Sequence, residues 1–310
     1  MTTTLPTNIL TDKQREIADF YAENGYYVYP DALSTDEVQQ LRDEVVRICA
    51  GELGSIGGKG VSGRLEGESD DELLRRFLCI HFPHKISDVM FDALAHPAIV
   101  ETLTACISPN VKAMQSMLFI KASGKPGQAW HQDEDYIPTR DRSLSGAWIA
   151  LDDATIENGC LWIIPGSHKP GILWDQDWHA DKRFDCSWES QNFPYSDDEA
   201  VPVEVKAGTI VFFNGYTLHR SLPNVAKSGY RRALVNHYMS AESFLPWHPP
   251  RPNTEADRMG MAKLDYRDVV VIAGTDPYAH HGYETRQTAF VRPDGKGGCF
   301  NGQTELEYDD

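Results

Sequence analysis

The sequence predicts a mainly β protein with flanking α-helices, its core an antiparallel two-sheet jelly roll. Three observations predict it. Apolar residues recur at three- and four-residue spacing up to about residue 110, short runs rich in branched and aromatic residues follow from residue 111, and turn residues rather than helices separate those runs. Without helices between the strands, parallel βαβ units are excluded and an antiparallel solution remains.

TDKQREIADFYAENG (11–25) and STDEVQQLRDEVVRICAGEL (34–53) carry the helical spacing, and Ser34-x-x-Glu37 opens the second with a capping box. Gly58 to Gly63 spells G-x-G-x-x-G, but it follows a helix and runs into an acidic stretch, whereas a dinucleotide loop follows a strand and opens a helix. A plain loop is expected there. HPAIVETLTACIS (96–108) resumes the helical period. The strand-like runs are VKAMQSMLFIKA, SGAWIALDD, CLWIIPG, VPVEVKAG, TIVFFNG and RRALVNHYMS, broken by SGKPG, ENG, PGSHKPG, KAGT and NGY. Residues 241–310 are rich in Pro, Tyr and charge, and are expected to form a covering segment with one strand near 268–272. The whole chain, 1–310, thus reads as one domain: a helical N-terminal region (1–110), a jelly-roll core (111–240) and a covering C-terminal segment (241–310).

Composition bounds the function. The 29 Lys and Arg against 46 Asp and Glu leave a formal charge of −17, which repels phosphate backbones and anionic membranes, so neither nucleic acid nor membrane is an expected partner. The six cysteines form no C-x-x-C pair and read as reduced thiols. With no basic segment leading into an apolar stretch at the start and no run of 18 apolar residues, a cytoplasmic location is the default expectation. Oligomeric state is not legible.

Chemistry concentrates in AWHQDEDYI (129–137). His-x-acid is a cheap pattern that this composition supplies about twice by chance, and it occurs twice, at His131-Gln132-Asp133 and His179-Ala180-Asp181. Residues two apart on a strand point the same way, so His131 and Asp133 supply two of the three ligands of a two-imidazole, one-carboxylate metal site. His219 lies 88 residues further on, past several strands, where a jelly roll can return it beside them. The His179 copy sits in a polar loop, DQDWHADKRFD, with no strand to fix its ligands. Arg231, twelve residues after His219, suits a two-pronged grip on a carboxylate, with Arg232 facing outward.

WHQD (130–133), GAWIALDDATIENGCLWIIPGSH (146–168) and His219-x-Ser221 with GYRRAL together resemble the phytanoyl-CoA dioxygenase family of iron(II)- and 2-oxoglutarate-dependent oxygenases. The resemblance implies a double-stranded β-helix, a jelly roll of cupin-like type. It also implies iron held by His131, Asp133 and His219, and 2-oxoglutarate anchored by Arg231 with Ser221 beside it. Met117, Gln132 and Trp148 are implied to line the cosubstrate pocket. Glu134 and Asp135 are expected to stand outside the ligand set, and His237, His280 and His281 to be surface or core groups. The expected function is hydroxylation of a C–H bond of a small organic substrate, using O2 and releasing succinate and CO2. The alternative is a non-catalytic or 2-oxoglutarate-independent cupin-type protein that binds a metal or small ligand.

Overall fold

The computed structural model describes residues 10–54, 56–57, 63–185, 188–243, 269–282 and 288–292. Among the described residues are six α-helices: α1 (Asp12–Asn24), α2 (Thr35–Cys49), α3 (Asp70–Arg75), α4 (Asp88–Asp92), α5 (Pro97–Cys106) and α6 (Asp133–Tyr136). The capping box of α2 forms as its sequence dictates: Ser34 Oγ accepts from Glu37 N, and Glu37 Oε2 accepts from Ser34 N at 2.7 Å. Thr11 and Gln14 close a second box on α1, which stops at Gly25 in a left-handed conformation (φ +78°).

Fourteen strands are described: β1 (Tyr26–Tyr29), β2 (Cys79–His81), β3 (Val111–Ala122), β4 (Gln128–His131), β5 (Ser145–Ala150), β6 (Leu161–Ile163) and β7 (Gln176–Trp178), then β8 (Trp188–Ser190), β9 (Val201–Val203), β10 (Ile210–Asn214), β11 (His219–Ser221), β12 (Tyr230–Ser240), β13 (Val270–Ala273) and β14 (Phe290–Arg292). A large sheet runs β1-β10-β5-β12-β3-β2-β14, with β13 also on β3; a smaller one runs β4-β11-β6-β9, and β7-β8 form a hairpin. The paired strands are antiparallel throughout, as a jelly roll requires.

Alternation along the central strands divides the core in two. Leu234 and Tyr238 of β12, with Leu118, Ile120, Ile149 and Phe212, pack against Val45, Ile48 and Leu103 of the helices. Ala233 and Val235, with Phe119, Trp148, Val211 and Phe213, face Leu161, Ile163 and Val203 of the smaller sheet. Both faces of the large sheet are therefore covered, which is why its strands read as near-continuous apolar runs.

The N-terminal region is not purely helical: β1 and β2 lie within it and extend the large sheet. They span four and three residues, too short for a period of two to stand out. The segment 58–62 lies outside the described residues, as do 244–268, so the expected loop and most of the expected covering segment are not described. The strand expected near 268–272 is β13.

Gly127, just before β4, lets the smaller sheet close. A Cβ there would lie 1.9 Å from the Ser221 carbonyl oxygen on the neighbouring strand. Gly127→Ala is expected to destabilise the fold by about 1–3 kcal/mol, read as a lower thermal midpoint, and to loosen the β4–β11 pairing. An unchanged midpoint would show that the two backbones need no such approach.

Candidate metal centre

His131 ends β4 and Asp133 begins α6, with Gln132 between them still extended (φ −126°, ψ 124°). The side chains of 131 and 133 therefore leave the backbone on one side. β11 returns antiparallel to β4 with His219 directly opposite His131, and their ring centroids are 4.1 Å apart. One ligand atom from each of His131, Asp133 and His219 lies within 4.8 Å of the others, a spacing that can hold a metal ion. Asp133 Oδ1 faces both imidazoles, 3.6 Å from His131 Nε2 and 3.7 Å from His219 Nε2.

The backbone sets the tautomers. His131 Nδ1 donates to Ala129 O at 2.8 Å and His219 Nδ1 to Thr217 O at 3.0 Å, each a carbonyl two residues earlier, so each Nε2 is left bare toward the carboxylate. Burial, reinforced by the neighbouring His219, pushes His131 down to about 4, leaving it neutral and able to ligate near neutral pH. Burial alone pushes the Asp133 carboxyl up, but the imidazoles of His219, His237 and His131 together pull it below the usual carboxylate range. Asp133 is therefore ionised.

A second group lies on the same inner face of the sheets. Arg231 and Lys121 are Cα partners across β12 and β3, each 2% exposed. Arg231 Nε donates to Gly159 O at 3.1 Å, its only hydrogen bond among the described residues, and its guanidinium lies 5.5 Å from the Trp148 ring centroid. Lys121 Nζ donates to Ser221 Oγ at 2.9 Å and Leu222 O at 2.7 Å, with the Gly159 carbonyl 3.4 Å away. Gly159 has φ +81°, and a Cβ on it would meet Leu222 O at 2.3 Å, so a turn of ordinary composition positions one carbonyl for two cations. Burial drives Arg231 down to about 10, and burial with the adjacent Arg231 drives Lys121 well below the usual amine range. Neither side chain has an ion-pair partner among the described residues. Arg232 faces the other way and forms a two-pronged pair with Asp152.

Trp148 and Phe213 are buried in the cluster between the sheets, with the half-buried Met117 packed against it, and the Phe213 ring lies 4.7 Å from that of His219. Ser221 is buried beside Lys121. Gln132 is a correction. Its Nε2 donates to Ile172 O at 2.9 Å and Tyr216 O at 2.8 Å, and its Oε1 accepts from Trp174 N at 2.9 Å. Lying between two inward residues, it points to the opposite side and ties down the 172–174 loop rather than lining the pocket.

The His179 copy stands apart, in the connection after β7 where neither His179 nor Asp181 belongs to a strand. Its Nδ1 accepts from Asp181 N, and Asp181 pairs with Arg183. Glu134 is buried and accepts from Thr139. Two residues were missed in the sequence. Lys121 had a signal, a charge at an inward position of an apolar strand. His237, expected to be a surface or core group, lies beside the triad with Nε2 3.0 Å from Asp133 Oδ2; its even spacing from Arg231 on one strand was the available clue.

The sequence profile described as phytanoyl-CoA dioxygenase (PhyH) matches residues 21–233. Phytanoyl-CoA dioxygenase 1 of Oryza sativa subsp. japonica is 31% identical over 265 residues, covering 76% of this chain and 92% of its own length. The peroxisomal phytanoyl-CoA dioxygenase of Rattus norvegicus is 32% identical over 255 residues, covering 77% and 71%. Among solved structures, the epimerase SnoN in complex with Fe3+, alpha ketoglutarate and nogalamycin RO superposes with a TM-score of 0.57 at 23% identity, over 79% of this chain and 88% of that one; at that identity the likeness is one of fold.

His131→Ala, Asp133→Ala and His219→Ala are each expected to abolish binding of a divalent metal in anaerobic titration calorimetry, and His179→Ala to leave it intact. Binding kept by the His219 variant but lost by the His179 variant would overturn this.

Proposed function

This chain belongs to the phytanoyl-CoA dioxygenase family of oxygenases, and from that premise we propose an iron(II)- and 2-oxoglutarate-dependent dioxygenase that hydroxylates a C–H bond of a small organic substrate. The donor set fits iron(II): two imidazole nitrogens and one carboxylate oxygen, within 4.8 Å of one another, would hold it. When bound, the iron with 2-oxoglutarate and O2 supplies the oxidising chemistry, one oxygen atom leaving in succinate as CO2 is released and the other entering the substrate.

The observation that carries the reading is the buried Arg231 guanidinium, with the Lys121 amine beside it, on the same inner face as the triad. A buried cation without a counter-charge is costly, and a carboxylate laid against Arg231 and Lys121 offsets that cost. Arg231 uses only its Nε among the described residues, which leaves both terminal nitrogens for a two-pronged contact, and the Trp148 ring lies beside it. The Lys121 amine adds further hydrogen-bond donors, favoured in its charged form when an anion lies beside it, and through Ser221 it ties this end of the site to the strand that carries His219. Trp148, Phe213 and Val235, with Met117 packed against them, form the apolar cluster between the sheets.

The C-terminal segment contributes to the cover in this reading. Arg292 of β14 is paired with Asp185 of the loop before β8, and its guanidinium lies 5.4 Å from the ring centroid of Phe119, an inward residue of β3.

With iron(II), 2-oxoglutarate and O2, the protein is expected to release succinate, faster when its substrate is present in a metabolite screen. Metal binding with no succinate from any mixture would favour the cupin-type binding alternative. Arg231→Ala is expected to weaken anaerobic 2-oxoglutarate binding by about 10- to 150-fold, the loss of roughly 1.5–3 kcal/mol of charge-assisted contact, whereas Arg232→Ala changes it little. Equal effects from the two arginines would count against the assigned face.

A further inference from the structure

We propose that His237 is a positioning residue for the metal centre, its Nε2–H holding Asp133 Oδ2 so that Oδ1 alone is offered to the metal. This rests on the reading of His131, Asp133 and His219 as ligands. β12 presents Arg231, Ala233, Val235 and His237 to the space between the sheets, because alternate residues of a strand share a face. His237 is 3% exposed, and its Nε2 lies 3.0 Å from Asp133 Oδ2. Among the described residues that is the one hydrogen bond the Asp133 carboxylate makes, while Oδ1 faces the two Nε2 atoms at 3.6 and 3.7 Å. The two oxygens have separate tasks.

A carboxylate with both oxygens free can ligate through both, and the second would occupy a position that cosubstrate and oxygen need. A donor on Oδ2 prevents that and fixes the carboxylate plane. An ionised carboxylate only accepts, so the shared proton belongs to His237 Nε2. Nδ1 of the same ring is buried with no partner among the described residues, so no second hydrogen bond there holds the ring. The bulge in the β12–β3 pairing falls immediately after His237, between it and Tyr238, where β3 carries one extra residue.

The test uses the full chain, metal-free and anaerobic, with cobalt(II) as probe. His237→Phe keeps the ring volume and loses the donor; His237→Gln keeps an N–H donor. The Phe variant is expected to bind cobalt about 10- to 100-fold more weakly, with an altered visible absorption band, and the Gln variant to recover most of both. A Phe variant with wild-type affinity and an unchanged band overturns the proposal and leaves the triad standing, whereas an Asp133→Ala variant with wild-type affinity overturns both. A further measurement needs no substitution: long-range nitrogen–proton NMR of the wild-type metal-free chain is expected to show His237 protonated at Nε2. Protonation at Nδ1 alone overturns the proposal.

Discussion

The antiparallel pairing of β4 with β11 is the constraint on which the site depends. It sets His219 opposite His131 although 88 residues separate them, and it needs the missing side chain of Gly127 for the two backbones to approach. Each imidazole is oriented by a carbonyl of its own strand or of the residue leading into it, so the geometry of the metal-facing nitrogens is a property of the sheet rather than of mobile side chains. The same pairing puts Ser221 within reach of Lys121, linking the metal end of the pocket to its cationic end.

Charge is distributed on two scales. The −17 of the whole chain disfavours anions at long range, yet the buried Arg231 guanidinium reverses the sign between the sheets, where water screens least. Keeping the Arg231 guanidinium dry beside the Lys121 amine is unfavourable for the fold alone, and the charged form of Lys121 is disfavoured there. The Gly159, Ser221 and Leu222 oxygens supply part of the compensation, and the remaining need is for an anion, which is the chemistry a 2-oxoglutarate site requires. Asp133 is the converse case, a buried carboxylate among three imidazoles that a metal would join as a fourth partner.

The two faces of the large sheet divide stability from chemistry. One face packs on the helices through Leu234, Tyr238, Ile149 and Phe212; the other carries Arg231, Trp148, Phe213 and His237. A one-residue slip of β12 would exchange these sets, so the apolar packing under the helices also holds the register of the site.

Sequence by itself determined the class of fold, because a change of apolar period near residue 110 and turn chemistry between short runs are local signals. It also singled out the His131, Asp133 and His219 set, since a strand spacing of two and a long return are readable along the chain, and the outward direction of Arg232 followed from alternation. Tertiary structure decided the rest. β1 and β2 are too short to carry a period and exist as strands because β10 and β3 offer them partners. Gln132 turned away because its amide finds the 172–174 loop, a contact 40 residues distant. His237 and Lys121 became site residues only through what lies opposite them, Asp133 and Ser221, each about a hundred residues away in sequence. Spacing along one strand states which face a side chain takes; which group waits across that face depends on the register between strands, and that is settled only when the sheets close.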